Sequence, residues 1–362
     1  MDVEFGVPRR MSALTEATSS DGYGHGREVR VSVSDDRTGA ARISLGTFPT
    51  PVERAPRLGA ALGMGIDQLW IKRDDLTGLG GGGNKVRKLE RIIATALKGG
   101  ADALVTTGAA QSNHARLTAA AGARLGIPVT LVLAGEPGGP AVGNLLLDGL
   151  FGARTRWAGE AGHSALAVLA EEAAADLASA GAHPAVIPFG GSNRDGVLAY
   201  ADAARELSGQ LPGESVSVVA LGSGGTMAGL AAGLGTRRVL GVHVGAVPDP
   251  RAVVAGLVST VTPVPVDPGT LRLRTDQVGA GYSTLTEQAA EAIQLAARTE
   301  GIVLDPVYTG RALAGLVAAV RDGDLGSDTP VVFWHTGGLP GLFGHREAAS
   351  VASGAPEEEG SA

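Results

Sequence analysis

The sequence predicts an α/β protein in which mostly parallel sheets are covered by helices on both faces. Two observations support this prediction. Segments typical of strands alternate with Ala-rich segments typical of helices from Ala103 to Trp334, which indicates parallel strands joined by crossover helices. In addition, the segments ALVTT (103–107) and VVFW (331–334) are apolar at nearly every position. Such runs are expected of strands whose two faces are both buried.

The predicted elements follow one another in a regular order. The expected strands are 103–107, 128–133, 154–157, 185–188, 216–221, 239–244 and 331–334. The expected helices are 112–125, 143–150, 164–180, 226–234 and 284–299. Ligands of open α/β sheets bind at the carboxyl ends of the strands. We therefore expect four chemically distinctive loops to lie at the same edge and to form one site; they follow 70–72, 105–107, 218–221 and 331–335.

The two ends of the chain differ in character from its middle. Residues 1–40 are rich in Ser, Gly, Asp and Arg and show no apolar periodicity. Residues 351–362 contain the acidic segment EEE among small residues. Both segments have too few apolar residues to bury a core, and both are therefore predicted to be disordered tails.

The overall composition excludes several classes of protein. Apolar residues make up 44% of the chain and charged residues 19%, which is typical of a globular protein. The net charge of −7 and the aromatic content of 4% do not resemble a nucleic-acid-binding surface, so no nucleic-acid partner is expected. No apolar run reaches about 18 residues, so no membrane partner is expected. The absence of cysteine excludes disulfides and a thiolate nucleophile, and the expected location is cytoplasmic.

The segment GGGGNKVRKLE (80–90) places Lys85 where a helix is predicted to begin. The positive end of a helix favours the uncharged form of an amine. An uncharged amine is the nucleophile that Schiff-base chemistry requires. A nucleotide-binding P-loop is excluded because no Gly-Lys-Ser/Thr follows the glycine run. The alternative is a solvated lysine in a flexible turn.

A second glycine-rich turn, LGSGGTMAGL (221–230), joins a predicted strand to a predicted helix. Backbone N–H groups converge at such a turn and the hydroxyl of Thr226 adds a donor, which together favour a bound phosphate. A dinucleotide fingerprint is excluded because Met227 stands where that motif needs Gly. The alternative is a tight strand-to-helix turn without a ligand.

Three further loops carry polar side chains. The segment QSNHAR (111–116) opens a predicted helix, where free N–H groups suit a carboxylate, although simple N-capping is the alternative. Tyr282 and Tyr308 stand in turns and can donate or take up protons, unless they are only structural. His335 has no second ligand at metal-binding spacing, so no metal site is expected. No G-x-S-x-G motif is present, which argues against a serine hydrolase.

Together these segments resemble the D-cysteine desulfhydrase and 1-aminocyclopropane-1-carboxylate deaminase family. The resemblance runs from about Ile43 to Gly344, and its motifs occur in the family's order: LGTFPTPVERAPRL, WIKRDDLTGLGGGGNKVRKLE, TTGAAQSNHAR, IPFGGSN, GSGGTMAGL, DPVYTG and HTGGLPGLF. It implies pyridoxal 5′-phosphate (PLP) as the cofactor, and a tryptophan synthase β-like α/β fold (PLP fold type II) of two open, twisted, mostly parallel sheets. It also implies a homodimer, a large PLP-binding domain (41–87 plus 200–350) and a small domain (88–199).

The resemblance implies which residues bind the cofactor. Lys85 matches the lysine that carries PLP covalently, and Lys88 matches a lysine that contacts the phosphate. The further cofactor contacts that it implies are Asn113 at the 3′-oxygen, Thr309 at the pyridine nitrogen, and the phosphate loop of Gly222, Ser223, Gly224, Gly225 and Thr226.

The resemblance also implies which residues bind and convert the substrate. Ser112, together with the backbone amides of Asn113 and His114, matches a clamp for the substrate carboxylate. Tyr282 and Tyr308 match the active-site tyrosines and could protonate a leaving group. The expected catalytic set is therefore Lys85, Ser112 and these two tyrosines.

Thr309 favours one branch of the family. An acidic residue at this position would hold the pyridinium proton and strengthen the electron sink, and the deaminase branch has Glu there. The neutral Thr309 fits a β-elimination, most directly of D-cysteine to pyruvate, ammonia and sulfide. Ala280 and Ser283 flank Tyr282 where the family often has Gly, which leaves the substrate open. The alternatives are a 1-aminocyclopropane-1-carboxylate deaminase, an L-cysteate sulfo-lyase, and a PLP-binding sensor or carrier without turnover.

Overall fold

The structure, a computed structural model, describes residues 34–35, 41–326 and 329–353. Its strands are β1 (Ser34–Asp35), β2 (Ala41–Arg42), β3 (Val52–Arg54), β4 (Leu69–Arg73), β5 (Ala103–Ala109), β6 (Val129–Ala134), β7 (Arg154–Trp157), β8 (Pro184–Ile187), β9 (Val216–Leu221), β10 (Val239–His243), β11 (Arg272–Arg274) and β12 (Val331–His335). They form a six-stranded sheet in the order β11-β10-β9-β12-β4-β3, a four-stranded sheet in the order β7-β6-β5-β8, and the pair β1-β2. Within the two larger sheets every pair is parallel except β3 with β4, so the predicted pair of mostly parallel sheets is confirmed.

The α-helices cover both sheets. In chain order they are α1 (Pro56–Ala61), α2 (Lys85–Lys98), α3 (Asn113–Leu125), α4 (Gly143–Leu150), α5 (His163–Ser179), α6 (Arg194–Gln210), α7 (Gly225–Leu234), α8 (Pro250–Ser259), α9 (Glu287–Glu300), α10 (Thr309–Arg321), α11 (Leu339–Gly344) and α12 (Ala348–Ser353). In the described part of the chain, no helix combines the length and apolar character that a membrane span requires.

Most of the two predicted tails, 1–40 and 351–362, lies outside the described residues. A short piece of each segment is described, and the prediction for the tails stays a prediction. Strand β1 falls within the first tail and pairs antiparallel with β2. The second tail begins inside α12, where Val351 is buried and its carbonyl accepts a hydrogen bond from Gln294 Nε2. Backbone pairing and burial of one apolar side chain therefore order these two pieces.

The apolar runs noted in the sequence are strands covered on both faces, as predicted. In β12, Val331 and Phe333 pack into the core beneath α9 and α10, whereas Val332 and Trp334 pack into the core beneath α6, α7 and α8. In β5, Leu104 faces the core formed with α2 and α3, and Val105 faces α5. Successive side chains of a strand point to opposite faces, so a strand between two layers of helices must be apolar throughout.

Four helix starts differ from the predicted bounds, and the helix expected at 164–180 begins one residue earlier, at His163. The helix expected at 112–125 begins at Asn113, because Ser112 is its N-cap. The helix expected at 284–299 begins at Glu287, where Thr286 accepts a hydrogen bond from Ala289 N. The helix expected at 226–234 begins one residue earlier, at Gly225. A capping side chain defines where the helical backbone starts.

The expectation that the four distinctive loops share one sheet edge needs a correction. The loops after β4, β9 and β12 belong to the six-stranded sheet, whereas the loop after β5 belongs to the four-stranded sheet. Periodicity identifies strands but does not assign them to sheets. Both predicted domain boundaries, at 87/88 and 199/200, fall inside helices, namely α2 and α6. The division into a large and a small domain stays a prediction.

Candidate active site

One cleft brings together the loops of both sheets. It is lined by the first residues of α2, α3 and α7, by the turn at Phe189–Gly190, by Tyr308, and by the loop after β12. The structure therefore brings the predicted loops together at one cleft, to which two sheets contribute.

Glycines and the loop after β12 position Lys85 at the start of α2. The backbone N–H of the preceding Asn84 donates to Thr336 O at 2.9 Å. The loops approach so closely that a Cβ on Gly337 would lie 2.8 Å from Gly83 Cα, and Gly337 has a φ of +99°. Asn84 Nδ2 donates to Thr226 Oγ1 at 3.0 Å, which ties Lys85 to the second glycine-rich turn.

The amine of Lys85 is prepared to act as a nucleophile near neutral pH. Burial lowers its pKa to about 8, because the surrounding protein disfavours the charged form. The sequence analysis attributed a lowered pKa of Lys85 to the positive helix end, whereas in the structure the cause is desolvation by burial. Lys85 lines the cleft together with the start of α7. The sequence-based prediction of a nucleophilic amine facing a glycine turn therefore agrees with this geometry.

A second buried lysine lies one helical turn further along α2. Lys88 is fully buried, and its Nζ donates to Gly190 O at 3.1 Å and to Ser192 Oγ at 3.4 Å. Burial, followed by the charge of Lys85, lowers the pKa of Lys88 well below its usual value. No carboxylate of the described residues pairs with either amine. Two adjacent amines without an acidic partner form a site for an anion.

The glycine-rich turn at the start of α7 supplies further donors. Gly224 has a φ of +87°, which favours glycine. The N–H of Gly225 donates to Ser192 Oγ at 3.1 Å. Because Ser192 Oγ also accepts from Lys88, its own proton is directed to Ser223 Oγ, 2.8 Å away. The hydroxyl proton of Ser223, which lines the cleft, is thereby left for a bound anion.

Ser192, which contacts Lys88, Ser223 and Gly225, was given no role by the sequence-based reasoning. It lies in the motif IPFGGSN, which carried the resemblance but had been given no role. Its signal was a serine directly after two glycines, Gly190 and Gly191, both of which have positive φ. What it contacts could not be read from the sequence, because Ser223 is far away in the chain.

The start of α3 forms the opposite side of the cleft. Ser112 Oγ accepts from Ala115 N at 3.1 Å, so the N-capping alternative is correct in its geometry. Ser112, Asn113 and His114 nevertheless all line the cleft, as the binding hypothesis expects. Capping uses the oxygen of Ser112 as an acceptor and leaves its proton available.

The ring of His114 is held neutral. Thr106 Oγ1 donates to Ile187 O at 2.8 Å, so it accepts from His114 Nε2 at 2.9 Å. Nε2 therefore carries the ring proton. Burial, followed by the charges of Lys85 and Lys88, lowers the pKa of His114 well below its usual value. The contribution of this residue to anion binding is thus confined to its backbone N–H.

The two tyrosines meet each other, but only one lines the cleft. Tyr308 lines it directly, and Tyr282 lies behind with its hydroxyl in hydrogen-bonding contact with that of Tyr308. Burial raises the pKa of Tyr282 to about 12 and that of Tyr308 well above its usual value. Both hydroxyls are therefore protonated at neutral pH, so the pair can donate a proton.

Thr309 does not line the cleft. It is fully buried at the start of α10, where its Oγ1 donates to Asp305 Oδ1 at 2.7 Å and accepts from Asp305 N at 2.8 Å. The same carboxylate accepts from the N–H groups of Val307, Tyr308 and Thr309. The hydroxyl proton of Thr309 is therefore directed to Asp305. The predicted contact of Thr309 with the pyridine nitrogen stays a prediction.

His335 Nδ1 accepts a hydrogen bond from the backbone N–H of Gly337 at 3.4 Å. It is buried at the end of β12, and burial lowers its pKa. Among the described residues, no group of three or more His, Cys, Asp or Glu side chains could hold a metal ion. The following Gly338 has a φ of +110°, and a Cβ there would lie 2.4 Å from Asp305 Oδ1. Glycine therefore lets this loop pack against the carboxylate that begins α10.

A buried network of charges beneath the start of α2 was not predicted. Arg87 contacts Asp74 at 2.9 Å and Glu206 at 2.8 Å. Lys72 Nζ pairs with Glu206 at 2.5 Å. Tyr200 OH donates to Asp74 Oδ2 at 2.6 Å and lies 3.4 Å from Asn84 O. The network therefore supports the turn that carries Lys85.

Comparison with known proteins identifies the family of this chain. The sequence pattern of the family described as "Pyridoxal-phosphate dependent enzyme" matches residues 43–337. The chain belongs to this PLP-dependent family. It is 40% identical over 324 residues to a D-cysteine desulfhydrase of Klebsiella pneumoniae (strain 342), covering 84% of this chain and 96% of that protein.

Solved structures support the same assignment of this PLP-dependent enzyme. A crystal structure of an ACC deaminase homologue superposes with a TM-score of 0.80 at 37% identity, covering 87% of this chain and 97% of the other. A crystal structure of O-ureido-L-serine synthase superposes with a TM-score of 0.61 at 16% identity, covering 88% and 95%. The second likeness concerns the fold alone. The implied fold type II architecture is thereby confirmed.

The residues of the cleft fit PLP. Lys85 supplies an amine of lowered pKa, which is what a covalent bond to an aldehyde requires. The buried Lys88, the N–H of Gly224 and the hydroxyl proton of Ser223 would hold the phosphate. The two amines without an acidic partner are the specific observation that an anionic cofactor explains.

Gly225→Ala is expected to weaken PLP binding by about 10-fold or more. A Cβ there would lie 2.6 Å from Ser192 Oγ and 2.8 Å from Lys88 Nζ, so two groups of the anion site would have to move. A hydrogen bond to a charged group contributes about 1.5–3 kcal/mol. Absorbance titration with PLP measures the change. Gly256→Ala in α8, where a Cβ meets nothing within 4 Å, should bind PLP like the parent; equal affinity of both variants would contradict this assignment.

Proposed function

We propose that this PLP-dependent enzyme is a lyase that removes a β-substituent from a small amino acid, with D-cysteine as the principal substrate. The observation that carries the proposal is the arrangement of a base and an acid in one cleft. The amine of Lys85 has a lowered pKa, whereas the hydroxyl of Tyr308 stays protonated. A β-elimination requires these two functions, since one proton leaves the α-carbon and another reaches the leaving group.

Bound PLP supplies the electron sink that stabilises negative charge at the substrate α-carbon. The first residues of α3 bind the substrate carboxylate through the N–H groups of Asn113 and His114 and the hydroxyl of Ser112. The amine of Lys85 takes up the α-proton, and Tyr308 donates a proton to the departing sulfur, with Tyr282 hydrogen-bonded behind it. In the overall reaction, one D-cysteine and one water give one pyruvate, one ammonia and one hydrogen sulfide.

One observation supports D-cysteine over a cyclopropane amino acid, namely the neutral Thr309 beside the buried carboxylate of Asp305. Similarity to known proteins does not separate the two substrates, because the identity is 40% to a D-cysteine desulfhydrase and 37% to an ACC deaminase homologue. A glutamate in place of Thr309 would bury a second carboxylate against the first, which is strongly unfavourable. The surroundings of this position are therefore built for a neutral side chain.

The proposed function predicts that the holoenzyme releases sulfide and pyruvate in equal amounts from D-cysteine. Both products are measured in the same reaction, by a sulfide assay and by coupled reduction of pyruvate. Reference substrates separate the alternatives: 1-aminocyclopropane-1-carboxylate would give 2-oxobutanoate, and L-cysteate would give sulfite. Formation of either product at a higher kcat/KM than that for D-cysteine would reject the substrate assignment. A PLP-loaded protein that forms no keto acid from any of them would instead be a sensor or carrier.

We also propose a homodimer in the cytoplasm. Exposed apolar side chains on neighbouring helices support the dimer, because Leu146 and Leu150 lie on α4 while Leu339 and Phe343 lie on α11, which packs against it. Sedimentation equilibrium of the full chain tests the dimer, and cell fractionation tests the location.

A further inference from the structure

Hydrogen bonds of Asn144 connect it to Gln111 and Asn113 at the edge of the cleft. Asn144, at the start of α4, is fully buried. Its Nδ2 donates to the backbone carbonyl of Gln111 at 3.0 Å and to Asn113 Oδ1 at 3.0 Å. Only Asn113 of these three residues lines the cleft. Asn144 therefore touches the site through a single neighbour.

Backbone groups fix the orientation of the amides of Gln111 and Asn144, and Asn144 in turn fixes that of Asn113. The N–H of Asn144 can only donate, and it donates to Gln111 Oε1 at 2.9 Å. The carbonyl of Val142 can only accept, and it accepts from Gln111 Nε2 at 3.0 Å. Reversing the amide of Asn144 would place its oxygen against two acceptors, Gln111 O and Asn113 Oδ1. The assignment of oxygen and nitrogen follows from these contacts.

We propose that Asn144 is a positioning residue that makes Asn113 a hydrogen-bond donor toward PLP. Because Asn113 Oδ1 is occupied as an acceptor, its Nδ2 is the group that remains for the cleft. Without Asn144, the amide of Asn113 could turn and present its oxygen instead. An oxygen facing the anionic 3′-oxygen of PLP would repel it. This inference rests on PLP occupying the cleft but not on the identity of the substrate.

Helix α11 covers the pair of amides. A Cβ on Gly341 would lie 3.7 Å from Asn144 Nδ2 and 3.8 Å from Asn113 Oδ1, which is ordinary van der Waals contact. Asn144 is fully buried, so water competes little for its contact with Asn113 Oδ1.

The chemical consequence concerns the proton shared between the lysine-linked nitrogen and the 3′-oxygen of PLP. A donor on the 3′-oxygen stabilises its anion and weakens its hold on that proton, so the proton is lost at a lower pH. Removing the donor should raise the pH at which the visible absorption of bound PLP changes. The effect is measurable in the resting holoenzyme, before any substrate is added.

The test is a pH titration of the visible absorption of the holoenzyme. In Asn144→Ala and in the more conservative Asn144→Ser, the midpoint is expected to rise by about 0.5 to 1 on the pH scale, because one hydrogen bond to a charged group is lost. Leu145→Ala on the same helix is the matched control, since it removes apolar packing without touching the amides. That control should lower the melting temperature and leave the midpoint unchanged.

A double-mutant cycle shows whether Asn144 acts through Asn113. If it does, Asn113→Ala raises the midpoint, and adding Asn144→Ala causes no further rise. An unshifted midpoint in both Asn144 variants, or a fully additive shift in the double variant, would overturn the proposal. A parent protein without a visible PLP band would instead refute the cofactor site. Failure to convert D-cysteine would refute only the proposed substrate, so the three outcomes are distinguishable.

Discussion

Lys85→Ala is expected to remove the visible absorption of covalently bound PLP and to lower turnover by at least about 1000-fold. Lys85 is the amine at the start of α2 that lines the cleft, whereas Lys88 is fully buried and bonded to Gly190 and Ser192. The variant loses both the covalent attachment and the base that takes up the α-proton. Absorption spectra of the reconstituted protein and assays of keto-acid release measure the two losses separately.

The control for this variant lies on the same helix. Lys98→Ala changes a lysine at the far end of α2 and should retain both the spectrum and the turnover. If Lys85→Ala still shows the visible band before any amine is added, another lysine carries PLP. The lowered pKa of Lys85 adds a dependence on pH. Only the uncharged amine reacts with an aldehyde, so the rate of reconstitution with PLP should rise as the pH increases through about 8.

Arg87→Leu is expected to lower the free energy of unfolding by about 3–5 kcal/mol. The guanidinium of Arg87 pairs with Asp74, whose side chain is fully buried, and with Glu206. It also lies 4.4 Å from the centre of the Phe48 ring. Leucine fills part of this space but leaves the Asp74 carboxylate buried without its cation. Removing one partner of a buried ion pair costs about this much.

Urea denaturation of the Arg87→Leu variant measures the loss. The matched control is Arg156→Ala, which breaks an exposed pair with Asp176 at 2.9 Å and should cost less than about 1 kcal/mol. Equal losses in the two variants would show that the network beneath α2 contributes no more than a surface pair. Because Asn84 O contacts Tyr200 in this network, the variant should also bind PLP more weakly.

The same network predicts how stability depends on acid. Burial acts to raise the pKa of Glu206, but hydrogen bonds and charges from Arg87 and Lys72 outweigh it and hold the pKa at about 2. A carboxyl whose pKa is lower in the folded state stabilises the protein above its unfolded pKa and loses that contribution as the pH falls toward the folded value. The parent should therefore lose stability below about pH 4, and Glu206→Gln should lose less over that interval.

The sequence predicted most of the fold because its signals are local. The alternation of strands and helices gave the two mostly parallel sheets, and the bounds of 143–150, 154–157 and 216–221 agree with the structure. The apolar run in β12 predicted its two covered faces. Assigning strands to sheets failed, since a strand's own residues do not specify its neighbour. The loop after β5 was therefore placed at the wrong sheet edge.

The chemistry of the site was predicted where one segment contains the whole signal. The glycine run before Lys85 and the turn at Gly224 indicate backbone conformations with positive φ, because few other residues adopt those conformations. A predicted helix start also indicates where free N–H groups will lie. The sequence by itself thus predicted a nucleophilic amine, an anion-binding turn and a carboxylate-binding helix start, and the structure brings these three segments to one cleft.

Only the tertiary structure decided how distant side chains meet. Ser192 turns the proton of Ser223 toward the cleft, Asn144 orients Asn113, and Asp305 takes the hydroxyl of Thr309. The first two contacts join residues about 30 positions apart, and the last depends on how the chain turns into α10. Such hydrogen bonds depend on how whole helices and sheets pack, and this packing cannot be predicted from a short stretch of sequence. The sequence therefore specified the reactive groups, and the fold specified their orientation.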